Sequence, residues 1–167
     1  MDRARYLARD EDGAAVERKH PAGAFEIVAL AASAGGLQAL SHVLAAIPRQ
    51  FAAAIVVVQH LDPRHRSLMA DILSKRTALP VKQAQEGDTL APGNAYVAPP
   101  NRHLLVNPDG TLSLSQSELV HFVRPSADLL FESTAASYKE RSIAVVLPAR
   151  AATVRWACAR SRRWGGR

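Results

Sequence analysis

From residue 25 onward, unbroken apolar runs alternate with stretches of helical spacing. Phe25 to Ala32 is apolar except for Glu26, the mark of a strand covered on both faces. Leu37, Leu40, Val43, Leu44 and Ile47 then recur on one side of a helix that Pro48 closes. A second apolar run, Ala53 to Gln59, predicts a second strand, and Leu68, Ile72 and Leu73 mark a short helix ending before Leu79-Pro80. From Val81 the pattern changes. Lys82 to Thr89 is polar, and Pro92-Gly93-Asn94 is a turn signal before a short strand at Ala95 to Ala98. Leu104 to Val106, Asn107-Pro108-Asp109-Gly110 and Thr111 to Leu114 predict a hairpin, because Asp-Gly favours a tight reversal. Ser126 is placed to cap a helix over Ala127 to Arg141, and Ile143 to Leu147 is the last strand. The alternation predicts an α/β fold with a mostly parallel, helix-covered sheet and a small antiparallel hairpin insertion.

Composition narrows the class. At 167 residues the chain suits one domain with a real core. No apolar run approaches the roughly 18 residues of a membrane span, so no membrane insertion is expected. The charged N-terminus does not read as a signal peptide. A single Cys provides no disulfide framework, which fits a reducing, cytoplasmic setting. Residues 1–23 are charged, aperiodic and end in Pro21-Ala22-Gly23, the signature of a mobile leader. Residues 24–147 then form the domain.

The formal charge of +6 comes entirely from the last twenty residues. Six of the 21 Lys and Arg residues lie within 148–167, with none of the 15 acids, so the rest of the chain is neutral. The same stretch holds both Trp and the lone Cys158. The body has no basic stripe, so nucleic acid is not an expected partner. So abrupt a break in composition points to a segment of different origin.

The candidate chemistry lies at two strand ends. Ser33 follows the first strand and precedes Gly35-Gly36, and His60 follows the second. Neighbouring strands of a parallel sheet end on one edge, so both side chains are expected at one crevice. A serine hydroxyl becomes a nucleophile when a base takes its proton, and imidazole is the usual base. Each residue also has a plainer reading. A Ser before Gly-Gly caps helices or turns, and a His at a strand end is often a surface residue. Strand, Gly-Gly and helix also suggest a phosphate cradle, but the Gly-x-Gly-x-x-Gly pattern is absent and the second strand ends without an acid. His42, His65, His103 and His121 read as structural or surface residues. No spacing suits zinc, and no metal or organic cofactor is expected.

The run Ala32-Ser33-Ala34-Gly35-Gly36-Leu37-Gln38-Ala39-Leu40 resembles the nucleophile segment of the chemotaxis protein-glutamate methylesterases, the CheB family. Further stretches match in order: Val57 to Leu61, Ala84 to Asp88, Ala95 to Leu104, Arg124 to Phe131 and Ile143 to Leu147. The resemblance implies a doubly wound α/β serine hydrolase that demethylates glutamyl methyl esters on chemoreceptors. Some members also deamidate receptor glutamines. It assigns Ser33 as nucleophile and His60 as general base, with Ala34, Gly35 and Gly36 at the oxyanion turn. Ala34 stands where many members carry Thr. Arg124 and Ser126 either line the substrate cleft or only cap a helix, with Arg124 pairing to Asp128. The implied partners are the cytoplasmic domain of a methylated receptor and a methyltransferase or receiver-domain protein. A non-catalytic signalling module of the same fold is the alternative.

The family's third catalytic residue is an Asp in a segment like Leu-Thr-Gly-x-Gly-x-Asp-Gly after the last strand. Here Leu147 is followed by Pro148 to Val154, and no acid follows Glu140. Leu147 to Val154 can be encoded CTC CCG GCG CGG GCA GCG ACG GTG. One A inserted after the first codon yields Leu-Thr-Gly-Ala-Gly-Ser-Asp-Gly, with Asp at the position of Thr153. Residues 148–167 therefore read as an out-of-frame basic tail, and the chain as an impaired enzyme.

Overall fold

The computed structural model describes residues 25–33, 35–59, 67–117 and 124–147, together with the backbone of two strands nearer the N-terminus. Those strands, β1 (Arg5–Arg9) and β2 (Ala15–Lys19), pair as an antiparallel ribbon inside the stretch expected to be a leader. The aperiodic sequence there does not announce them.

The body is built on β3 (Ile27–Ala32), α1 (Leu37–Ala45), β4 (Ala54–Gln59), α2 (Met69–Ser74), β5 (Val81–Gln83) and β6 (Ala95–Val97). The hairpin β7 (His103–Val106) and β8 (Leu112–Ser115) follows, then α3 (Ala127–Tyr138), a 3₁₀ turn at Lys139–Arg141 and β9 (Ser142–Leu147). Five strands form one sheet in the order β5-β6-β4-β3-β9, parallel at every pairing. The chain moves from β3 outward through β4 to β6, then returns to lay β9 on the other side of β3. Strand order reverses at β3, as in a doubly wound sheet.

Alternate residues of the central strands feed two separate cores. Leu30, Ile55, Val57, Val97, Val145 and Leu147 pack with Leu40 and Leu44 of α1 and Leu73 of α2. Ile27, Ala29, Val56 and Val58 pack instead with Leu104, Leu112 and Leu130 from the hairpin and α3. Because both faces are covered, all six positions of β4 are buried, and no polar alternation could appear in its sequence. At the amino edge, Glu26 N–H donates to the Arg141 carbonyl at 2.8 Å, and the Arg141 guanidinium pairs with the Glu26 carboxylate.

Strand β5 differs from the sequence expectation, which left Lys82 to Thr89 as a polar stretch. It is an edge strand of three residues, half-exposed or exposed throughout. Main-chain bonding to β6 holds this end of the sheet, continued by Ala84 N–H to the Val97 carbonyl at 2.8 Å. Short polar edges carry little hydrophobic signal. The helix expected over Ala127 to Arg141 stops at Tyr138, and Lys139, at φ 50°, begins the 3₁₀ turn.

Tyr96 anchors the loop between β5 and β6 to the sheet. Its hydroxyl donates to the Thr89 carbonyl at 2.9 Å and accepts from Ala91 N–H at 3.1 Å. Burial is the main influence, and it raises the phenol above its usual value near 10. Above that pH the folded state holds this proton longer than the unfolded state, so stability falls as pH rises through the folded value. Tyr96→Phe leaves both backbone groups without their partner and is expected to cost about 1–3 kcal/mol. Urea midpoints at neutral pH and above pH 10 should show both the lower stability and a shallower alkaline decline in the variant.

Candidate active site

The register of the sheet brings the two candidate strand ends together. Ala32 lies opposite Gln59 on β4 and opposite Leu147 on β9. Ala32, Gln59 and Leu147 thus end three adjacent parallel strands at one carboxyl edge, with Ser33 just beyond it. This is the edge where doubly wound sheets place their ligands, at the reversal of strand order. Ser33 is exposed there. His60, Ala34 and Thr153 lie outside the described residues.

Ser33 begins a tight turn into α1. Gly36 N–H donates to the Ser33 carbonyl at 2.8 Å, and Leu40 N–H to the Gly36 carbonyl at 2.9 Å opens the helix. The two glycines serve different purposes. Gly35 takes φ 92°, which side chains with a Cβ rarely adopt. Gly36 is required by space: a Cβ there would stand 2.5 Å from Ala32 Cβ and 3.0 Å from the Ser33 carbonyl oxygen. The turn therefore directs the amino end of α1 at the same edge. The first-turn N–H groups of a helix lack intrahelical partners and carry its positive pole.

Gln59 also reaches this turn, and the sequence reading did not select it. Its Nε2 donates to the Ser33 carbonyl at 3.4 Å, although β4 is otherwise apolar. The available signal was one polar residue ending an apolar strand.

Arg124 and Ser126 stand before α3, whose amino end also lies toward the carboxyl edge because its far end leads into β9. Arg124 Nε donates to Asn101 Oδ1 at 2.9 Å, and one terminal nitrogen donates to the carbonyls of Gln116 and Ser117 at 2.8 and 2.7 Å. These bonds clasp the loop after β6 to the end of the hairpin. Ser126 occupies the N-cap position of α3 as expected, but its hydroxyl makes no capping bond. Its main-chain N–H donates instead to Nδ1 of His103, which is fully buried, at 3.1 Å. That bond ties the start of α3 to β7. His42 is exposed on α1, and His65 and His121 lie outside the described residues.

An open cleft of about 390 Å³ lies at the opposite, amino edge, lined by Arg49, Ser74, Thr77, Lys82 and Asn94 among others. Several of its polar groups are internally engaged. Thr77 bonds the Leu44 carbonyl at 2.8 Å, Ser74 the Asp71 carbonyl at 2.9 Å, and Lys82 pairs with Asp88 at 2.7 Å. Among the described residues no cluster of three or more His, Cys, Asp or Glu is placed to hold a metal ion. No helix among them is long and apolar enough to cross a membrane.

The family model described as CheB methylesterase matches residues 28–150. The protein-glutamate methylesterase FrzG of Myxococcus xanthus is 40% identical over 133 residues, covering 80% of this chain and 40% of that protein. A protein-glutamate methylesterase/protein-glutamine glutaminase of Pseudomonas syringae pv. syringae is 41% identical over 134 residues, with the same two coverages of 80% and 40%. A Leptospira interrogans protein is 41% identical over 123 residues, 74% of this chain and 64% of that one. The chain thus spans less than two thirds of these relatives. The crystal structure of the CheB methylesterase catalytic domain of Thermotoga maritima superposes with a TM-score of 0.69 at 34% identity, covering 74% of this chain and 67% of that one.

Proposed function

The chain belongs to the CheB methylesterase family, and from that membership we propose that its parent hydrolyses glutamyl methyl esters on chemoreceptors, with Ser33 as nucleophile and His60 as general base. The observation that supports this reading is the pairing of Ala32 with Gln59, by which the strands preceding Ser33 and His60 in the sequence end side by side at one edge.

In this mechanism the Ser33 hydroxyl attacks the ester γ-carbonyl while the His60 imidazole takes its proton. Backbone N–H groups at the Ala34, Gly35 and Gly36 turn and in the loop after Leu147 hold the oxyanion, each donor worth about 10² to 10³ in rate. His60 returns the proton to departing methanol. Water then repeats the sequence and frees the glutamate. The same steps on a carboxamide release ammonia, so deamidation of receptor glutamines needs no further group. No metal or organic cofactor takes part. The partners of the parent are a methylated receptor domain in the cytoplasm and a methyltransferase or receiver-domain protein.

Residues 148–167 are, in this proposal, an out-of-frame reading that replaces the Asp-bearing segment, and the chain as it stands is impaired. A carboxylate at position 153 would orient the imidazole and compensate its charge. Gene sequence past codon 147 tests this directly: a locus with no Gly- and Asp-bearing motif in another frame rules it out.

A fluorophosphonate probe separates an enzyme from a binding module of the same fold. In the frame-restored chain, covalent labelling is expected at Ser33, lost in Ser33→Ala and reduced at least about 100-fold in His60→Ala. Labelling of Ser33 that is indifferent to His60 would sink the base assignment.

A further inference from the structure

We propose that Gln59 is a positioning residue for the Ser33 nucleophile, holding the Ser33 carbonyl from the neighbouring strand so that the turn into α1 keeps one orientation. This rests on the reading of Ser33 as nucleophile. Strand β4 is buried at all six positions, and the first five are Ala or aliphatic. The sixth, Gln59, is only 5% exposed yet carries a carboxamide. Its Nε2 donates to the Ser33 carbonyl at 3.4 Å, and the same carbonyl accepts Gly36 N–H at 2.8 Å.

Its Oε1 is buried and has no hydrogen-bond partner among the described residues. Folding alone would favour an apolar side chain here, since a buried carbonyl without a partner is unfavourable. The neighbouring position on β3 is Ala32, whose single methyl leaves room for the carboxamide to reach across. Flipping the carboxamide would set oxygen against oxygen, so the donor orientation is the one the site requires.

The consequence for Ser33 is geometric. Peptide planarity couples the carbonyl direction to the backbone torsion of the residue that bears it. Two donors on one carbonyl, one from the turn and one from β4, therefore fix the rotation from which the Ser33 side chain departs. The Gln59 bond is long, so it acts as a directional restraint and not as a main source of stability.

The test compares fluorophosphonate labelling of Ser33 in the full chain with Gln59→Met, which keeps volume and removes both polar atoms, and with Gln59→Leu as a second apolar variant. The maximal labelling rate is expected to fall about tenfold, in line with the sensitivity of reactions to sub-ångström misplacement. The half-saturating probe concentration should not change. Tm should not fall, because the carboxamide contributes only one long bond to folding. Exchange of the Gly36 amide hydrogen should become faster in both variants. A slower rate accompanied by a lower Tm would mark a merely structural role and overturn the proposal, as would unchanged labelling with unchanged Gly36 exchange. If the unaltered chain does not label, the absent carboxylate accounts for it, and the comparison is repeated in the frame-restored chain, where failure to label sinks the hydrolase reading. Gly36 exchange then judges Gln59 alone: faster exchange supports its hold on the turn, and unchanged exchange rejects it.

Discussion

On the proposed out-of-frame reading, replacing residues 148–167 by the in-frame segment is expected to raise hydrolysis of methylated receptor glutamates by about 10⁴-fold, the factor by which replacing the triad Asp slows a serine protease. With the codons given above the restored chain carries Leu-Thr-Gly-Ala-Gly-Ser-Asp-Gly after β9, with Asp in place of Thr153, and codons exist for which the same shift turns Arg155 to Trp164 into the amphipathic run Ala-Met-Gly-Val-Arg-Ala-Ile-Lys-Ala-Met. The register explains why one loop matters so much. Leu147 pairs with Ala32, so whatever follows β9 emerges beside Ser33 at the carboxyl edge. Val146 is 60% exposed between buried Val145 and Leu147, on a strand at the edge of the sheet. Methanol release from methylated receptor, measured for both chains, gives the answer. Equal rates would refute the role of the carboxylate.

Gly36→Ala is expected to disable the nucleophile turn, lowering Ser33 labelling by about 100-fold and stability by about 1–3 kcal/mol. The new methyl carbon would stand 2.5 Å from Ala32 Cβ and 3.0 Å from the Ser33 carbonyl oxygen. Neither neighbour can yield. Ala32 is buried on the central strand, and the Ser33 carbonyl is bonded to Gly36 itself at 2.8 Å. Relief must come from α1 moving off the sheet, which disturbs Leu40 and Leu44 in the core. Gly35→Ala meets a different obstacle, φ 92°, and should cost only about 1 kcal/mol. Thermal melts and labelling rates for the two variants distinguish close packing from backbone strain. A Gly36→Ala chain that melts and labels like the parent would contradict the close approach.

The elements that were legible in the sequence are those whose physics is local. Phe25 to Ala32 and Ala53 to Gln59 had to be buried strands because they offer no polar face. Leu37 to Ile47 had to be a helix because its apolar spacing suits nothing else. Asp109-Gly110 announced the hairpin, and Gly110 does take φ 82°. Ser33 stood out because a hydroxyl precedes two glycines at a strand end. Strand β5 was not legible, since main-chain bonds to β6 create it and its own side chains do not.

Arg124 shows the same limit at the site. Sequence spacing left open a place in the cleft or a pairing with Asp128, while the structure shows its donors reaching across the chain to Asn101, Gln116 and Ser117. Gln59 was passed over because a polar residue closing an apolar strand has no meaning until its neighbour is known.

By itself, then, the order of residues determined that strands and helices alternate, that Ser33 and His60 close successive strands, and that no acid follows Glu140. Local sterics and hydrophobic periodicity act over a few residues and can be read there. Tertiary structure alone decided that β9 lies beside β3, that Gly36 must lack a side chain, and that Gln59 meets the Ser33 carbonyl. Each of these is a contact between segments far apart in the chain, and only packing sets its distance.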